Sequence, residues 1–520
     1  MGVTTVADII RTHGAGESDR PAIVYGSRSV SYGELDERSN RFANGIRAEG
    51  VGEQDRVAYL DKNAPEYFDA LFGTAKAKAV LCAVNWRLAP REAAFIVNDS
   101  QSTVLVVGEE LVPMLEAMEP ELTTVKRILV VGQHPRHPGY EEWLAAQDAA
   151  DPSVASVPDD VAFQFYSSGT TGRPKGVMLT NRNLFASAEA NNESLGFSSS
   201  SVNLVVMPLF HVAGGAWALL GLYNGVPNIV MRDVDPAEVI RLIPEHRITH
   251  AVLVPAVIQF LLMMPEVKEA DFSSLELIVY GASPISEEVL KGAIRTFRCR
   301  FIQAYGMTET TGGVVLLPPE DHDPDGPNAH RLRAAGIPGP GCEIRVADPE
   351  TLAAVPAGTV GEVLVRSPQN MKGYWNMPEA TAETILPDGW LRTGDAGYLD
   401  DDGYLYIHDR VKDMIISGGE NIYPAEIENC LMSQPGVADV AVIGVPSDQW
   451  GETPKAVVVK AADAEVTAEE IIGYARQNLA HYKCPTSVDF VDELPRNPSG
   501  KVLKKDLRAP YWEGRERRVN

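Results

Sequence analysis

Helical and strand patterns alternate along residues 1–335, and this alternation restricts the fold more than any other feature of the chain. A helical pattern at 32–49 precedes a strand pattern at 55–60, and apolar runs at 104–107, 251–254 and 277–280 end in turns rich in glycine or proline. Such alternation predicts an α/β fold, in which helices cover the faces of a sheet. Ligand-binding loops are then expected at the carboxyl ends of the strands.

The chain changes character twice after residue 335. Glycine, proline and short strand patterns fill 336–408, which predicts a small β-subdomain. A compact α+β pattern follows, with a helix opened by Pro424 and a strand at 437–445. Thr467 and Glu470 have the spacing of a capping box, which predicts another helix start.

A segment rich in glycine and hydroxyl groups lies between a strand pattern at 161–165 and a helix that we expect to begin near Thr180. Glycine lets backbone N–H groups turn toward an anion, and Arg173 and Lys175 supply positive charge. We therefore predict a phosphate-binding loop between a strand and a helix; an exposed surface loop is the alternative. Gly176 follows the lysine, where the ordinary P-loop has Ser or Thr. The predicted phosphate ligands beside Lys175 are Ser167, Ser168, Gly169, Thr170, Thr171 and Gly172.

This loop resembles the phosphate loop of the adenylate-forming superfamily, which contains acyl-CoA synthetases, firefly luciferase and nonribosomal peptide synthetase adenylation domains. Further segments resemble that superfamily's other motifs, in the expected order. They are an acyl-pocket segment at 210–215, an adenine-binding turn at 280–284 with Gly281, Ala282 and Ser283, a second nucleotide motif at 303–310, a ribose-binding segment at 390–395, an interdomain hinge at 409–413, a CoA-facing loop at 417–421 and a lysine motif at 495–501. The series identifies the chain as a member of the acyl-CoA synthetase branch.

The resemblance implies a large N-terminal domain over 1–409 and a mobile α+β C-terminal domain over 410–520. The N-terminal domain would contain two α/β layers, at about 1–160 and 161–335, and a small β-barrel at 336–408. It also implies a reaction in two steps. A carboxylic acid attacks the α-phosphate of ATP and expels pyrophosphate, and coenzyme A (CoA) then takes the acyl group from the adenylate. The protein must neutralise phosphate charge and hold the reactants in line.

Several residues are candidates for binding the nucleotide. Glu309 is the predicted Mg²⁺ ligand, because hard cations prefer carboxylate oxygen; a glutamate on a helix surface is the alternative. The resemblance gives Thr308 a phosphate contact and places Tyr305 and Gly306 near adenine.

The resemblance assigns three more residues to the nucleotide and the acid. Asp395 offers two oxygens to the ribose diol, and Arg410 follows at the end of the β-subdomain. Lys501, which in isolation would be an ordinary surface lysine, is assigned to the α-phosphate and the carboxylate of the acid.

Thioester formation requires the thiol to reach the carbonyl group, and the resemblance implies that the C-terminal domain rotates about Lys412 to admit it. The small residues Ser417, Gly418 and Gly419 would then line the pantetheine tunnel. Weaker candidates for CoA contacts are Trp450, Arg87, Tyr482 and Lys483. Cys484 stands where some relatives have a basic residue.

The acyl-pocket segment indicates an uncharged substrate. His211 follows Phe210 where amino-acid-activating members usually have Asp, and the neighbouring small and apolar residues favour an apolar acyl group. His211 is expected to gate the pocket or contact the adenylate, or else to be a buried structural histidine. We predict a ligase for medium- to long-chain fatty acids. An aromatic-acid ligase, a carrier-protein-loading enzyme and a non-catalytic lipid- or nucleotide-binding relative are the alternatives.

Composition restricts the partners. The formal net charge of −25 argues against broad nucleic-acid binding. No secretory signal or bilayer-spanning apolar run is evident, and five cysteines without a CxxC pair favour a reducing cytoplasm. Homodimer formation and peripheral contact with a membrane stay open.

Overall fold

The computed structural model describes residues 3–167, 174–283, 285–410, 413–417, 420–447, 449–462, 464–496 and 501–513, without the side chains of 409, 410, 416, 420 and 421. The α-helices are α1 (Val6–Gly16), α2 (Tyr32–Ala48), α3 (Pro65–Lys76), α4 (Pro90–Asp99), α5 (Val112–Met118), α6 (Tyr140–Ala145), α7 (Asn181–Leu195), α8 (Val212–Tyr223), α9 (Pro236–His246), α10 (Pro255–Met263), α11 (Glu287–Phe297), α12 (Pro378–Thr384), α13 (Pro424–Met432), α14 (Ala468–Asn478) and α15 (Lys504–Trp512).

The strands are β1 (Pro21–Tyr25), β2 (Arg28–Ser31), β3 (Arg56–Leu60), β4 (Val80–Ala83), β5 (Val104–Gly108), β6 (Arg127–Val131), β7 (Val161–Ser167), β8 (Lys175–Thr180), β9 (Asn203–Val205), β10 (Asn228–Val230), β11 (His250–Leu253), β12 (Leu277–Gly281), β13 (Arg300–Met307), β14 (Gly312–Leu317), β15 (Ile337–Pro338), β16 (Glu343–Ala347), β17 (Gly361–Arg366), β18 (Gly373–Tyr374), β19 (Leu391–Leu399), β20 (Leu405–Arg410), β21 (Ile415–Ser417), β22 (Glu420–Ile422), β23 (Val437–Ser447), β24 (Gly451–Lys460) and β25 (Ser487–Phe490).

Two large sheets with helices on their faces confirm the α/β prediction. Within the described residues, one sheet has the order β18-β8-β7-β4-β3-β5-β6, and its central strands are parallel. The other has the order β15-β14-β13-β12-β11-β9-β10-β1-β2, with parallel pairing from β1 to β13. The strands β3 and β5 are buried throughout, as strands covered on both faces must be.

The strands are not divided between these two sheets at residue 160, where a division was expected. β7 and β8 belong to the sheet of β3–β6, whereas β1 and β2 at the start of the chain join the other sheet through the parallel pair of β1 with β10. The two layers therefore exchange strands, and the domain boundaries stay a proposal.

The glycine-rich segment joins two antiparallel strands, so its predicted place between a strand and a helix was wrong. β7 pairs with β8 from Val161 opposite Thr180 to Ser167 opposite Lys175. The helix α7 begins only after β8, where the Thr180 side chain accepts a hydrogen bond from the N–H of Asn183. The short strand between lysine and helix was missed because its six residues carry little pattern of their own. Residues 168–173 lie outside the described residues.

Strand pairing in the C-terminal third is antiparallel in most of the described ladders, and β24 pairs in parallel with β25. In the region 336–408, for which a small β-barrel was predicted, four strands form a sheet in the order β16-β17-β19-β20. After it, α13 begins at Pro424 and β23 begins at Val437, as predicted. The capping box of Thr467 and Glu470 is present at the start of α14.

Candidate active site

A cavity of about 870 Å³ lies at the carboxyl ends of the parallel strands and extends between α7 and α8. One part of its wall is polar and the other is apolar. The predicted site residues on this wall are Ser167, Lys175, His211, Gly281, Ala282, Gly306, Thr308, Glu309 and Lys501. The fold thus brings motifs from distant parts of the sequence to one place.

Glu309 is the centre of a buried cluster in the polar part. Its Oε1 accepts hydrogen bonds from the Ser167 hydroxyl at 3.2 Å and from the Tyr374 hydroxyl at 2.9 Å. The Lys175 ammonium lies 4.7 Å from the centroid of the Tyr374 ring, a cation–π distance. A carboxylate, two hydroxyl groups and a cation are therefore held together at the base of the glycine-rich loop.

Two glycines of the nucleotide motifs allow backbones to approach closely. A Cβ at Gly281 would lie 2.1 Å from the Ala304 carbonyl oxygen, and one at Gly306 would lie 1.8 Å from the Gly312 carbonyl oxygen. Neither position can carry a larger residue without a backbone shift. Ala282, the next wall residue, has a φ of 65°. Ser283, also predicted to bind the nucleotide, is not among the described residues that line the cavity.

Asp395 and Arg410, fifteen residues apart, face each other across the β19–β20 ladder. Asp395 accepts a hydrogen bond at 2.8 Å from the Tyr305 hydroxyl, so the predicted adenine and ribose residues touch. The buried carboxylate of Glu362 accepts from the Arg392 guanidinium at 2.5 Å and from the Gly394 N–H at 3.3 Å. These bonds fix the turn that presents Asp395. The Arg410 side chain lies outside the description.

His211 caps the N-terminus of α8. Its Nδ1 accepts a hydrogen bond from the Ala213 N–H at 3.2 Å, so in the neutral ring the proton is on Nε2. Burial lowers the pKa of His211 to about 4, and the imidazole is neutral at physiological pH. His211 is a structural cap and a cavity-wall residue at once.

Comparison with known proteins decides the family. Residues 10–375 match the AMP-binding enzyme family, and residues 426–501 match the AMP-binding enzyme C-terminal domain. The chain is an AMP-binding enzyme. The resemblance to the adenylate-forming superfamily, and to its acyl-CoA ligase branch, is confirmed.

Relatives of this AMP-binding enzyme act on different acids. A fatty acid–[acyl-carrier-protein] ligase of Streptomyces coeruleorubidus is 40% identical over 99% of this chain and 98% of its own. A feruloyl-CoA synthase of Amycolatopsis is 40% identical over 94% of this chain and 96% of its own. Among solved structures, a fatty acyl CoA synthetase of Mycobacterium tuberculosis matches with a TM-score of 0.78 and 35% identity, covering 98% of both chains.

The C-terminal domain of the AMP-binding enzyme reaches the cavity through Lys501, which lies on its wall. Ser417 pairs with Gly451 in the β21–β24 ladder, next to Trp450, whose side chain is half exposed. Two of the residues predicted to contact CoA are therefore neighbours. Gly418, Gly419 and the hinge residue Lys412 lie outside the described residues.

Of the remaining CoA candidates, Tyr482 is half exposed, and the two cations Arg87 and Lys483 have partners of their own. The Arg87 guanidinium lies 4.7 Å from the Trp86 ring centroid and 3.6 Å from the Asp233 carboxylate. Lys483 donates to Glu426, and Cys484 is buried. Neither cation is in the cavity wall among the described residues.

A metal ion at this site would need ligands from the substrate. Across the described residues, no group of three or more His, Cys, Asp or Glu side chains is placed to hold an ion. Mg²⁺, however, is usually bound by one or two carboxylates together with substrate phosphates. The buried carboxylate of Glu309, close to Ser167 and Lys175, fits that pattern.

A network under the glycine-rich loop was missed by the sequence reasoning. The Arg56 guanidinium donates to the Gln164 side chain at 3.0 Å and stacks 3.3 Å from the Trp375 ring centroid. The backbone N–H of Trp375 donates to the Gly176 carbonyl oxygen at 2.7 Å, and the Tyr166 hydroxyl donates to the Asp99 carboxylate at 2.6 Å. The adjacency of Arg56 and Trp375 comes from strand pairing, so no local sequence signal reveals it.

Proposed function

We propose that this AMP-binding enzyme is an ATP-dependent ligase that activates a medium- to long-chain fatty acid and transfers it to CoA. The supporting observation is that a single cavity joins the polar cluster around Glu309 to a long apolar chamber. Residues that line the chamber from α7 and α8 are Leu184, Ala188, Val212, Ala216, Leu219 and Leu220. Burial of an alkyl chain against such a wall contributes about 0.8 kcal/mol per CH₂.

In the first step the acid's carboxylate oxygen attacks the α-phosphate, and pyrophosphate leaves. Lys501 would hold the carboxylate beside the α-phosphate and so offset the repulsion between two anions. Lys175 and the Ser167 hydroxyl would bind the departing phosphates. Mg²⁺, when bound, supplies further charge neutralisation, and Glu309 is the residue that would hold it.

The neutral His211 supports an uncharged acyl group beside the reacting carboxylate. Its low pKa means that this part of the wall carries no positive charge at physiological pH. Its Nε2 proton would be available to a carboxylate or adenylate oxygen. An ammonium group on the substrate would find no carboxylate at this position, which disfavours amino acids.

In the second step the thiolate of CoA attacks the acyl carbonyl and AMP leaves. We assign Ser417 and Trp450 to the thiol approach, after rotation of the C-terminal domain about 409–413. A carrier protein bearing the same pantetheine arm is the rival acceptor, because a relative 40% identical to this chain is named as a fatty acid–[acyl-carrier-protein] ligase. An aromatic acid is the rival substrate, because a feruloyl-CoA synthase is also 40% identical to this chain.

Isotope exchange between labelled pyrophosphate and ATP tests the first step. The acids are hexanoate, octanoate, dodecanoate, hexadecanoate, benzoate and ferulate, each with Mg²⁺ and with EDTA. Exchange that requires a fatty acid supports the proposal. A higher exchange rate with ferulate than with every fatty acid would favour the aromatic alternative. CoA and a pantetheinylated carrier protein are then compared as acceptors. Absence of exchange with all of these acids, from folded protein, would overturn the proposed activity.

The setting is proposed as the cytoplasm, since all five cysteines are free. The described residues contain no helix with both the length and the apolar character needed to cross a bilayer.

A further inference from the structure

Three side chains to which the reaction assigns no role line the cavity near the last turn of α8. Phe185 of α7 and Tyr223, the last residue of α8, both line the cavity. Their rings meet edge to face, with centroids 5.6 Å apart and planes at 86°. Ile9 of α1 completes this end and is almost fully buried.

The chamber runs along α8 from the reacting end to this aromatic pair. His211 caps the start of α8, and Val212, Ala216, Leu219 and Tyr223 lie on the wall at successive turns of the helix. Tyr223 lies eleven positions after Val212, which at about 1.5 Å per residue places the two about 16.5 Å apart along the helix. The wall therefore guides an extended chain from the carboxylate toward Tyr223.

Tyr223 stands between the chamber and the solvent. Its side chain is partly exposed, and Glu189, an exposed residue of α7, is close enough to act on it electrostatically. The pKa of Tyr223 is raised, mainly by burial. The Tyr223 carbonyl oxygen lies 3.2 Å from Nε2 of His13, which is four residues after Ile9 on α1. The last turn of α8 is thus tied to α1, and the partly exposed phenol ring lies on the cavity wall.

We propose that the Tyr223 ring, packed on Phe185, is the end wall that limits the length of the acyl chain. This inference rests on the proposed function and deepens it. An acid that reaches the ring fills the chamber, and a longer one must displace it. Removal of the ring connects the chamber with the surface beside Glu189, and the end of a longer chain can then pass out.

The test compares chain-length profiles of Tyr223→Ala and the parent in acid-dependent pyrophosphate exchange. We expect the ratio of kcat/KM for hexadecanoate over octanoate to rise about tenfold or more, the range for small changes of fit in a hydrophobic pocket. Tyr223→Phe keeps the ring and should keep the parent profile. Tyr223→Leu also removes the ring but keeps an apolar side chain, and its chain-length ratio should change as in Tyr223→Ala. The test therefore still works if the alanine variant misfolds.

Tyr25→Ala is the matched control. Tyr25 is also a partly buried tyrosine whose pKa burial raises, but it lies on β1 and outside the cavity wall. Its substitution should leave the chain-length ratio unchanged. If the hexadecanoate-to-octanoate ratio of kcat/KM is unchanged in both Tyr223→Ala and Tyr223→Leu, the proposal that Tyr223 is the end wall is wrong.

Melting-temperature shifts with acylsulfamoyl-adenosines of the same chain lengths separate the two proposals. These acyl-adenylate mimics bind without turnover, so their length profile reports the chamber even if no acid supports exchange. Loss of exchange with every acid would refute the activity. A length profile that is the same in the parent and in Tyr223→Ala would refute the wall alone.

Discussion

Tyr374→Phe removes one hydrogen bond from Glu309 and retains the ring. Tyr374 and Glu309 are 7% and 5% exposed, and the 2.9 Å bond between them is shielded from water. Phenylalanine keeps the aromatic face that lies 4.7 Å from the Lys175 ammonium. The substitution therefore tests the orientation of the carboxylate without removing charge.

The expected effect follows from the strength of that bond. A hydrogen bond to a charged group contributes about 1.5–3 kcal/mol, and its loss leaves the Ser167 hydroxyl as a donor to Oε1 of Glu309. If Glu309 acts on the phosphates in the transition state, the same free energy is lost from catalysis. Since about 1.4 kcal/mol is a factor of ten, kcat/KM for ATP should fall about tenfold to a hundredfold.

Tyr404→Phe is a closely matched control. The Tyr404 hydroxyl donates to Asp321 at 2.6 Å, both residues are buried, and the Arg331 guanidinium lies 4.2 Å from the Tyr404 ring centroid. This second cluster also combines a tyrosine hydroxyl, a carboxylate and a cation near the tyrosine ring, but it lies outside the cavity wall. Both substitutions should lower the melting temperature, and only Tyr374→Phe should slow pyrophosphate exchange. Equal exchange rates in the two variants would refute the role given to Glu309.

Three further predictions concern the site. Lys501→Ala should slow acyl-adenylate formation about a hundredfold or more, as loss of a key charge-stabilising donor does, and a normal rate in single-turnover assays would contradict its assignment. Gly306→Ala should destabilise the protein and abolish pyrophosphate exchange, because its Cβ would lie 1.8 Å from the Gly312 carbonyl oxygen. The control is Gly473→Ala on α14, where a Cβ would have nothing within 4 Å; in thermal unfolding it should be neutral or stabilising. The pKa of His211 is lowered from 6.5 to about 4. As the pH falls from 6.5 to about 4, the unfolded state therefore takes up a proton that the folded state does not, and the folded protein loses stability; above pH 6.5 this loss is absent. His211→Asn keeps a capping oxygen but has no imidazole to protonate. Its unfolding free energy, measured by denaturant titration, should therefore fall less than that of the parent over this pH range, by up to about 3 kcal/mol. Identical pH profiles of the two proteins would contradict the pKa shift.

The sequence was sufficient for the features that are local. The helix starts at Pro424 and at Thr467 depend on proline and on a capping box, and the structure has both. Gly281 and Gly306 were also identifiable, because a glycine in a nucleotide motif indicates close backbone approach, which the distances at both positions show.

Features that depend on distant pairing were not accessible. Tyr374 reaches Glu309 because the two-residue strand β18 pairs with β8, opposite Val177. A strand of two residues has no periodicity to detect. Glu362 likewise approaches Arg392 across the β17–β19 ladder. The sequence therefore allowed prediction of the residues expected to contact the ligands. It did not reveal the residues, such as Tyr374 and Glu362, that hold those residues in place.

The two ends of α8 have different freedom to change. At its start, a Cβ on Gly214 would lie 2.2 Å from the Pro208 carbonyl oxygen. Asn63 fixes the same turn through hydrogen bonds to the Met207 carbonyl oxygen at 3.1 Å and from the Leu209 N–H at 2.9 Å.

At its other end, α8 finishes in the partly exposed Tyr223. Because His211 is the cap of the same helix, enlargement of the chamber near its start would also displace a residue of the polar end. Enlargement near Tyr223 would not. Changes of acyl preference are therefore expected to accumulate at the last turn of α8 and on the faces of α1 and α7 that meet it, with nucleotide binding unaffected.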